Sequence, residues 1–101
     1  MVKKKYNKSG SKCTVTFVIS PEQASGVSTA NLVGDFNNWS KEAMPMASSK
    51  DKGFEISVEL EPGHEFMFRY LLDQNRWEND WNADKYVPSP YMDTDNSIVI
   101  V

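Results

Sequence analysis

Apolar and polar positions alternate along much of the chain with the two-residue period of β-strands. Cys13, Val15, Phe17 and Ile19 alternate with Thr14 and Thr16, and side chains two apart share one face of a strand. Pro21 ends this strand, because proline donates no hydrogen to a ladder, and residues 22–26 read as a loop. A second strand is expected over 28–33, with Ala30 and Leu32 inward and Thr29 and Asn31 outward. The run 34–38 (Gly-Asp-Phe-Asn-Asn) breaks it with residues that tolerate turn dihedrals. Met44 and Met46 flank Pro45 and fit a short extended segment, and 48–53 is polar and turn-rich.

The clearest strand is Phe54–Leu60, where Phe54, Ile56, Val58 and Leu60 alternate with Glu55, Ser57 and Glu59. One face is buried and the other is acidic and wet. Glu61-Pro62-Gly63-His64 has Pro second and Gly third, as a type II turn requires. Glu65–Leu72 follows, with Phe66, Phe68, Tyr70 and Leu72 on one face, so the two strands form a hairpin. Residues 73–76 predict the next tight turn, after which Trp77 starts the return. Residues 78–95 are polar and aromatic, with room for a single helical turn at 82–85, and 98–101 form a closing strand. No segment keeps a 3.6-residue period, and short strands separated by turns predict an all-β sandwich.

The length of 101 residues fits one domain. The expected division is a flexible basic tail at 1–10 and a β-sandwich domain at 11–101. The formal net charge is −3, and the lysines cluster only at the start, in Lys3, Lys4, Lys5, Lys8 and Lys12. Nucleic-acid binders neutralise phosphates with clustered Lys and Arg, so a solvated N-terminus is the plainer reading and nucleic acid is not an expected partner. Cys13 is the sole cysteine. It cannot form an internal disulfide, and it fits a small buried side chain. Small secreted domains are often disulfide-rich, so a cytoplasmic location is expected. No apolar run approaches a membrane span.

Catalytic chemistry finds little support. One His and one Cys cannot build a typical zinc site. Asp93-Thr94-Asp95-Asn96 opens like a calcium loop, but Ile98 stands where that loop needs glycine. His64 sits in a Pro-Gly turn. Glu78, Asp80 and Asp84 lie near Trp77 and Trp81, but a domain this small has no room for a deep cleft that excludes water. They read as a solvated acidic loop. No enzyme activity, cofactor or metal is expected. The aromatic residues remain. Trp39, Trp77 and Trp81 fall outside the alternating core positions, and large apolar residues in polar loops are informative. A pyranose ring presents an apolar face of C–H groups, which a flat indole covers as aromatics cover bases.

Asn31-Leu32-Val33-Gly34-Asp35-Phe36-Asn37-Asn38-Trp39-Ser40 resembles the signature of carbohydrate-binding module family 48. That family includes the glycogen-binding domain of the AMP-activated protein kinase beta subunit and the early-set domains at the N-termini of isoamylases. Leu60-Glu61-Pro62-Gly63-His64-Glu65-Phe66 is similar to its Pro-Gly hairpin. Phe68-Arg69-Tyr70-Leu71-Leu72-Asp73, followed by Trp77, is similar to its next hairpin. Tyr86-Val87-Pro88-Ser89-Pro90, leading to Asn96-Ser97-Ile98-Val99, is similar to its closing segment.

The resemblance implies an immunoglobulin-like (early-set) antiparallel β-sandwich that binds α-1,4-linked glucan, as glycogen, starch-like polymer or maltooligosaccharide. It implies carbohydrate contacts from Trp39, Arg69, Trp77, Met92, Thr94 and Asn96, with Trp81, Asn38 and Lys41 as additional candidates. A glycogen-metabolism enzyme or regulatory protein is the implied protein partner. The alternative is an early-set docking domain that has lost sugar binding. The hairpin from Arg69 to Trp77 is one residue longer than in the kinase subunit. A one-residue slip reverses the face a side chain takes, which leaves Trp81 as the other candidate for the second platform.

Overall fold

Side chains from two sheets meet at the centre of the molecule, because each strand turns one apolar parity inward. A computed structural model describes residues 1–51, 53–89 and 95–101. Its strands are β1 (Val2–Tyr6), β2 (Cys13–Ile19), β3 (Ala30–Gly34), β4 (Ala47–Ser48), β5 (Phe54–Leu60), β6 (Glu65–Leu72), β7 (Arg76–Glu78), β8 (Lys85–Pro88) and β9 (Asp95–Ile100). One sheet has the order β1-β2-β5-β4. The other has β3-β6-β9-β8, with β7 also paired to β6. Every pairing is antiparallel, and the two sheets make an all-β sandwich of the early-set, immunoglobulin-like kind. Among the described residues, no helix is long and apolar enough to cross a membrane.

The core follows the alternation. Cys13, Val15, Phe17 and Ile19 of β2 are fully buried, as are Leu32, Phe68 and Tyr70 from the facing sheet. Phe17 meets Phe68 edge-on at 4.9 Å between ring centres, and Phe68 meets Tyr70 at 5.7 Å, the arrangement that ring quadrupoles favour. The 61–64 turn forms, with Gly63 at φ 90°, but the hairpin expected across it does not. β5 pairs with β2 and β4, and β6 with β3, β7 and β9. The chain therefore crosses there from one sheet to the other, and the apolar faces of the two strands meet across the core instead of side by side. The segment around Pro45 is extended against β3: Leu32 N–H donates to Met44 O and Met46 N–H to Ala30 O. The helical turn expected at 82–85 does not form; a hydrogen-bonded turn leads there into β8. Pro88 is tolerated in β8 because that strand is a sheet edge.

Two expectations are corrected. Residues 1–10 are not simply a tail, since Val2–Tyr6 form β1, paired from Val2↔Phe17 to Tyr6↔Cys13. Val2 packs against the core, and Lys4 on the same parity reaches Asp84 with an Nζ–O distance of 2.7 Å. The alternation is hidden because all of β1 after Val2 is exposed at a sheet edge, and the ion-pair partner of Lys4 lies far along the chain. The second correction concerns the acidic loop. Asp80 is only 1% exposed. Its carboxylate accepts hydrogen bonds from the Tyr70 hydroxyl at 2.5 Å, the Asn82 N–H at 2.7 Å and the Met1 ammonium at 2.5 Å. Its own N–H donates to Ser97 Oγ. A buried charge persists only when paired and hydrogen-bonded, so Asp80 pins its loop to the sheet.

Burial raises the Tyr70 hydroxyl well above the ordinary tyrosine value of 10.0, and the negative charge and hydrogen bond of Asp80 add to this. A folded-state pKa raised in this way stabilises the fold below the unfolded value, and that contribution is lost as pH climbs toward the folded one. Tyr70→Phe therefore destabilises the domain by about 1–3 kcal/mol near neutrality, because Asp80 loses a donor. Urea unfolding at about pH 8 and about pH 11 checks the sign: the wild type loses more stability over that interval than Tyr70→Phe does.

Candidate functional site

The second sheet is unusual in having buried residues on its outer face as well as its inner one. Even-numbered residues of β6 point to the core, so Met67, Arg69 and Leu71 point outward. Leu71 and Arg69 are each only 3% exposed, and Val33 of β3, the partner of Arg69, is fully buried. Leu71 pairs with Asn31 on one side and with Trp77 on the other. A cross-strand row Asn31–Leu71–Trp77 thus lies next to a row Val33–Arg69. Asn96 follows from the pairing of Ser97 with Phe68, one residue on, and continues the second row. Its amide lies 3.6 Å from Met67 Sδ.

The longer hairpin does not turn Trp77 away from this face. Asp73 and Gln74 both take left-handed backbone conformations, at φ 51° and 63°. The strands rejoin at Leu72↔Arg76 and Leu71↔Trp77, so Asn75 is absorbed within the turn. Asp73 is held there because its Oδ1 accepts from the N–H groups of Ser28 and Thr29, at 2.8 and 3.0 Å. Trp77 is half-buried on the outer face, whereas Trp81 is 59% exposed, in the turn after Asp80.

Each residue from Gly34 to Trp39 has a structural task. A Cβ on Gly34 would lie 2.5 Å from Met67 O and 2.9 Å from Phe68 Cβ, so only glycine fits against β6. Asp35 opens a single 3₁₀ turn; its Oδ2 accepts from Met67 N–H at 2.8 Å and its Oδ1 from Trp39 Nε1 at 3.0 Å. Phe36 packs between Phe17 and Phe66, with ring centres 5.6 and 6.1 Å away. The Asn37 amide accepts from Gly34 N–H and donates to Leu32 O, which uses both functions of an asparagine. Asn38 and Trp39 follow in the left-handed region at φ 56° and 57°. Asparagine tolerates that region; for a bulky residue it costs of order 1–2 kcal/mol. The strained backbone and the indole hydrogen bond together fix how Trp39 leaves the chain, and its ring is half-buried.

The loop then folds over the outer face. Asn31 Nδ2 donates to Lys41 O at 2.5 Å, and Lys41 Nζ stands 5.9 Å from the centre of the Trp77 ring. Trp77, Lys41, Arg69 and Asn96 are thereby brought to one side of the second sheet, with the loop of Asn38 and Trp39 along its edge. Asn38 is exposed, and Asn96 is 6% exposed. Burial lowers the Arg69 pKa, and the charge of Asp95 opposes that shift; an arginine stays charged regardless. Met92 and Thr94 lie outside the described residues. Trp81 is exposed in a loop anchored through Asp80.

Alternation alone misses the apolar floor of Val33, Leu71 and Ile98. The signal lies in β6 itself, which is apolar at 66, 67, 68, 70, 71 and 72. A near-continuous apolar run marks a strand covered on both faces.

No curated protein matches the chain. The family model for carbohydrate-binding module 48 (isoamylase N-terminal domain) matches residues 7–92, a span that holds the Gly34-to-Trp39 turn, the Pro-Gly turn, the β6–β7 hairpin and Trp77. The chain belongs to carbohydrate-binding module family 48, a family of non-catalytic carbohydrate-binding domains.

Proposed function

We propose that the domain binds α-1,4-linked glucan by stacking Trp39 and Trp77 on sugar rings and performs no chemistry on it. The observation that carries this reading is the outer face of the second sheet, where Trp77 sits over a buried apolar floor beside a loop that presents Trp39 at a backbone cost. Strain of that size persists where surrounding structure holds it, typically at functional positions. Met92 and Thr94, by family resemblance, supply contacts at the rim, and Arg69 and Asn96 add only the small part of each that stays exposed. Lys41 covers the Trp77 ring in the free protein. An exposed cation–π contact is worth about 0.5–1 kcal/mol. Stacking of a flat ring is worth roughly 1–3 kcal/mol in the nucleic-acid analogue. A sugar therefore displaces the ammonium, which is then free to bond a hydroxyl.

A shallow surface orders few ligand atoms, so the affinity is modest. Titration with maltoheptaose, followed by tryptophan fluorescence, gives a saturable change at or below millimolar sugar. Trp39→Ala loses that response and keeps its β-sheet circular dichroism. A flat titration at millimolar maltoheptaose rules the reading out.

A second reading, a docking domain for a glycogen-metabolism enzyme or regulatory protein, is favoured by the deep burial of Arg69 and Asn96, which leaves them little surface to offer a sugar. A partner that stays bound in excess maltodextrin supports it.

A further inference from the structure

We infer that a groove at the start of β3 is a second sugar subsite that continues the Trp77 platform; the inference rests on the glucan reading above. The groove has a volume of about 380 Å³ and is lined by Thr29, Asn31, Glu42, Pro45, Ser48 and Gln74 among others. That volume lies within the range of small-molecule sites. Three of its walls adjoin the platform. Asn31 stands in the row with Leu71 and Trp77. Glu42 follows Lys41, whose ammonium lies over the Trp77 ring. Gln74 sits in the turn of the hairpin that carries Trp77.

The lining selects the ligand class. Among the described residues it holds no Lys, Arg or His, so phosphates and other anions would meet there a carboxylate without a cation. One carboxylate is also too few for a metal ion. Hydroxyl and amide side chains both donate and accept, which suits a neutral polyol whose hydroxyls do the same. Among the described residues, the side chains of Thr29, Glu42, Ser48 and Gln74 have no hydrogen-bond partner, and Asn31 uses its amide N–H on Lys41 O while its carbonyl oxygen remains open. Pro45 gives the groove an apolar patch for a C–H face. A glucan long enough to leave the indoles runs into this groove.

The test compares sugar lengths in the double variant Glu42→Ala/Gln74→Ala, both exposed positions. Relative to wild type, the double variant binds maltoheptaose about tenfold more weakly, as two lost hydrogen bonds predict, and binds maltotriose unchanged. Trp77→Ala weakens both. If the double variant binds both sugars like the wild type, or weakens both equally, the groove is no separate subsite while the glucan reading stands. If the wild type binds neither sugar, both proposals fall.

Discussion

Trp77→Ala binds maltoheptaose about 5- to 150-fold more weakly than the wild type, the loss of roughly 1–3 kcal/mol expected for one stacked ring. The side chain is half-buried on the outer face, opposite Leu71, and a short edge strand carries it. Its removal strips a sugar-facing plane and uncovers part of Leu71, but leaves the inner core intact. The fold survives, with a stability change well below that of a core truncation. Trp81→Ala is the control, since its ring is exposed in a separate loop anchored through Asp80. Isothermal titration of both variants reads the difference. Equal losses at the two positions would show that any exposed indole suffices and that the outer face has no special role.

Phe17→Ala lowers the unfolding free energy by about 3–5 kcal/mol, as large-to-small truncation of a buried aromatic does. The ring is fully buried and lies at the junction of the two sheets, 4.9 Å from Phe68 and 5.6 Å from Phe36. A domain of this length has about 5–15 kcal/mol in total, so one substitution removes a large share. The effect reaches the candidate site because Phe36 belongs to the turn that presents Trp39. A cavity beneath Phe36 loosens the Asp35 bonds to Met67 and Trp39. Urea denaturation monitored by circular dichroism gives the stability loss, and titration of the remaining folded protein gives the sugar response. A stability loss under about 1 kcal/mol would mean that the surrounding side chains collapse into the space.

The strands legible in the sequence are those in which one of the two alternating sets of positions is apolar throughout. Phe54–Leu60 and Glu65–Leu72 occur with the bounds that alternation and the Pro-Gly turn predict. β1 was not legible, because it is an exposed edge strand rich in lysine and Lys4 is neutralised by Asp84 from the other end of the chain, and pattern within one segment carries no such information. Asp80 was misread for the same reason. Local composition makes it a loop acid, whereas tertiary contacts with Tyr70 and Ser97 make it a buried anchor. The Gly34-to-Trp39 turn was recognisable from its residue types. The reason for each type, above all the contact of Gly34 with the β6 backbone, needs the neighbouring strand. The face of Trp77 depended on how the hairpin absorbs an extra residue. Two consecutive left-handed residues, Asp73 and Gln74, decide it, and neither is a glycine that would have announced the turn.

The indole N–H resonances report most directly on whether the outer face is the sugar platform. With maltoheptaose added in steps, the signals of Trp39 and Trp77 shift together along one binding curve, while that of Trp81 stays in place. Movement of Trp81 alone, or three stationary signals at saturating sugar, contradicts the account.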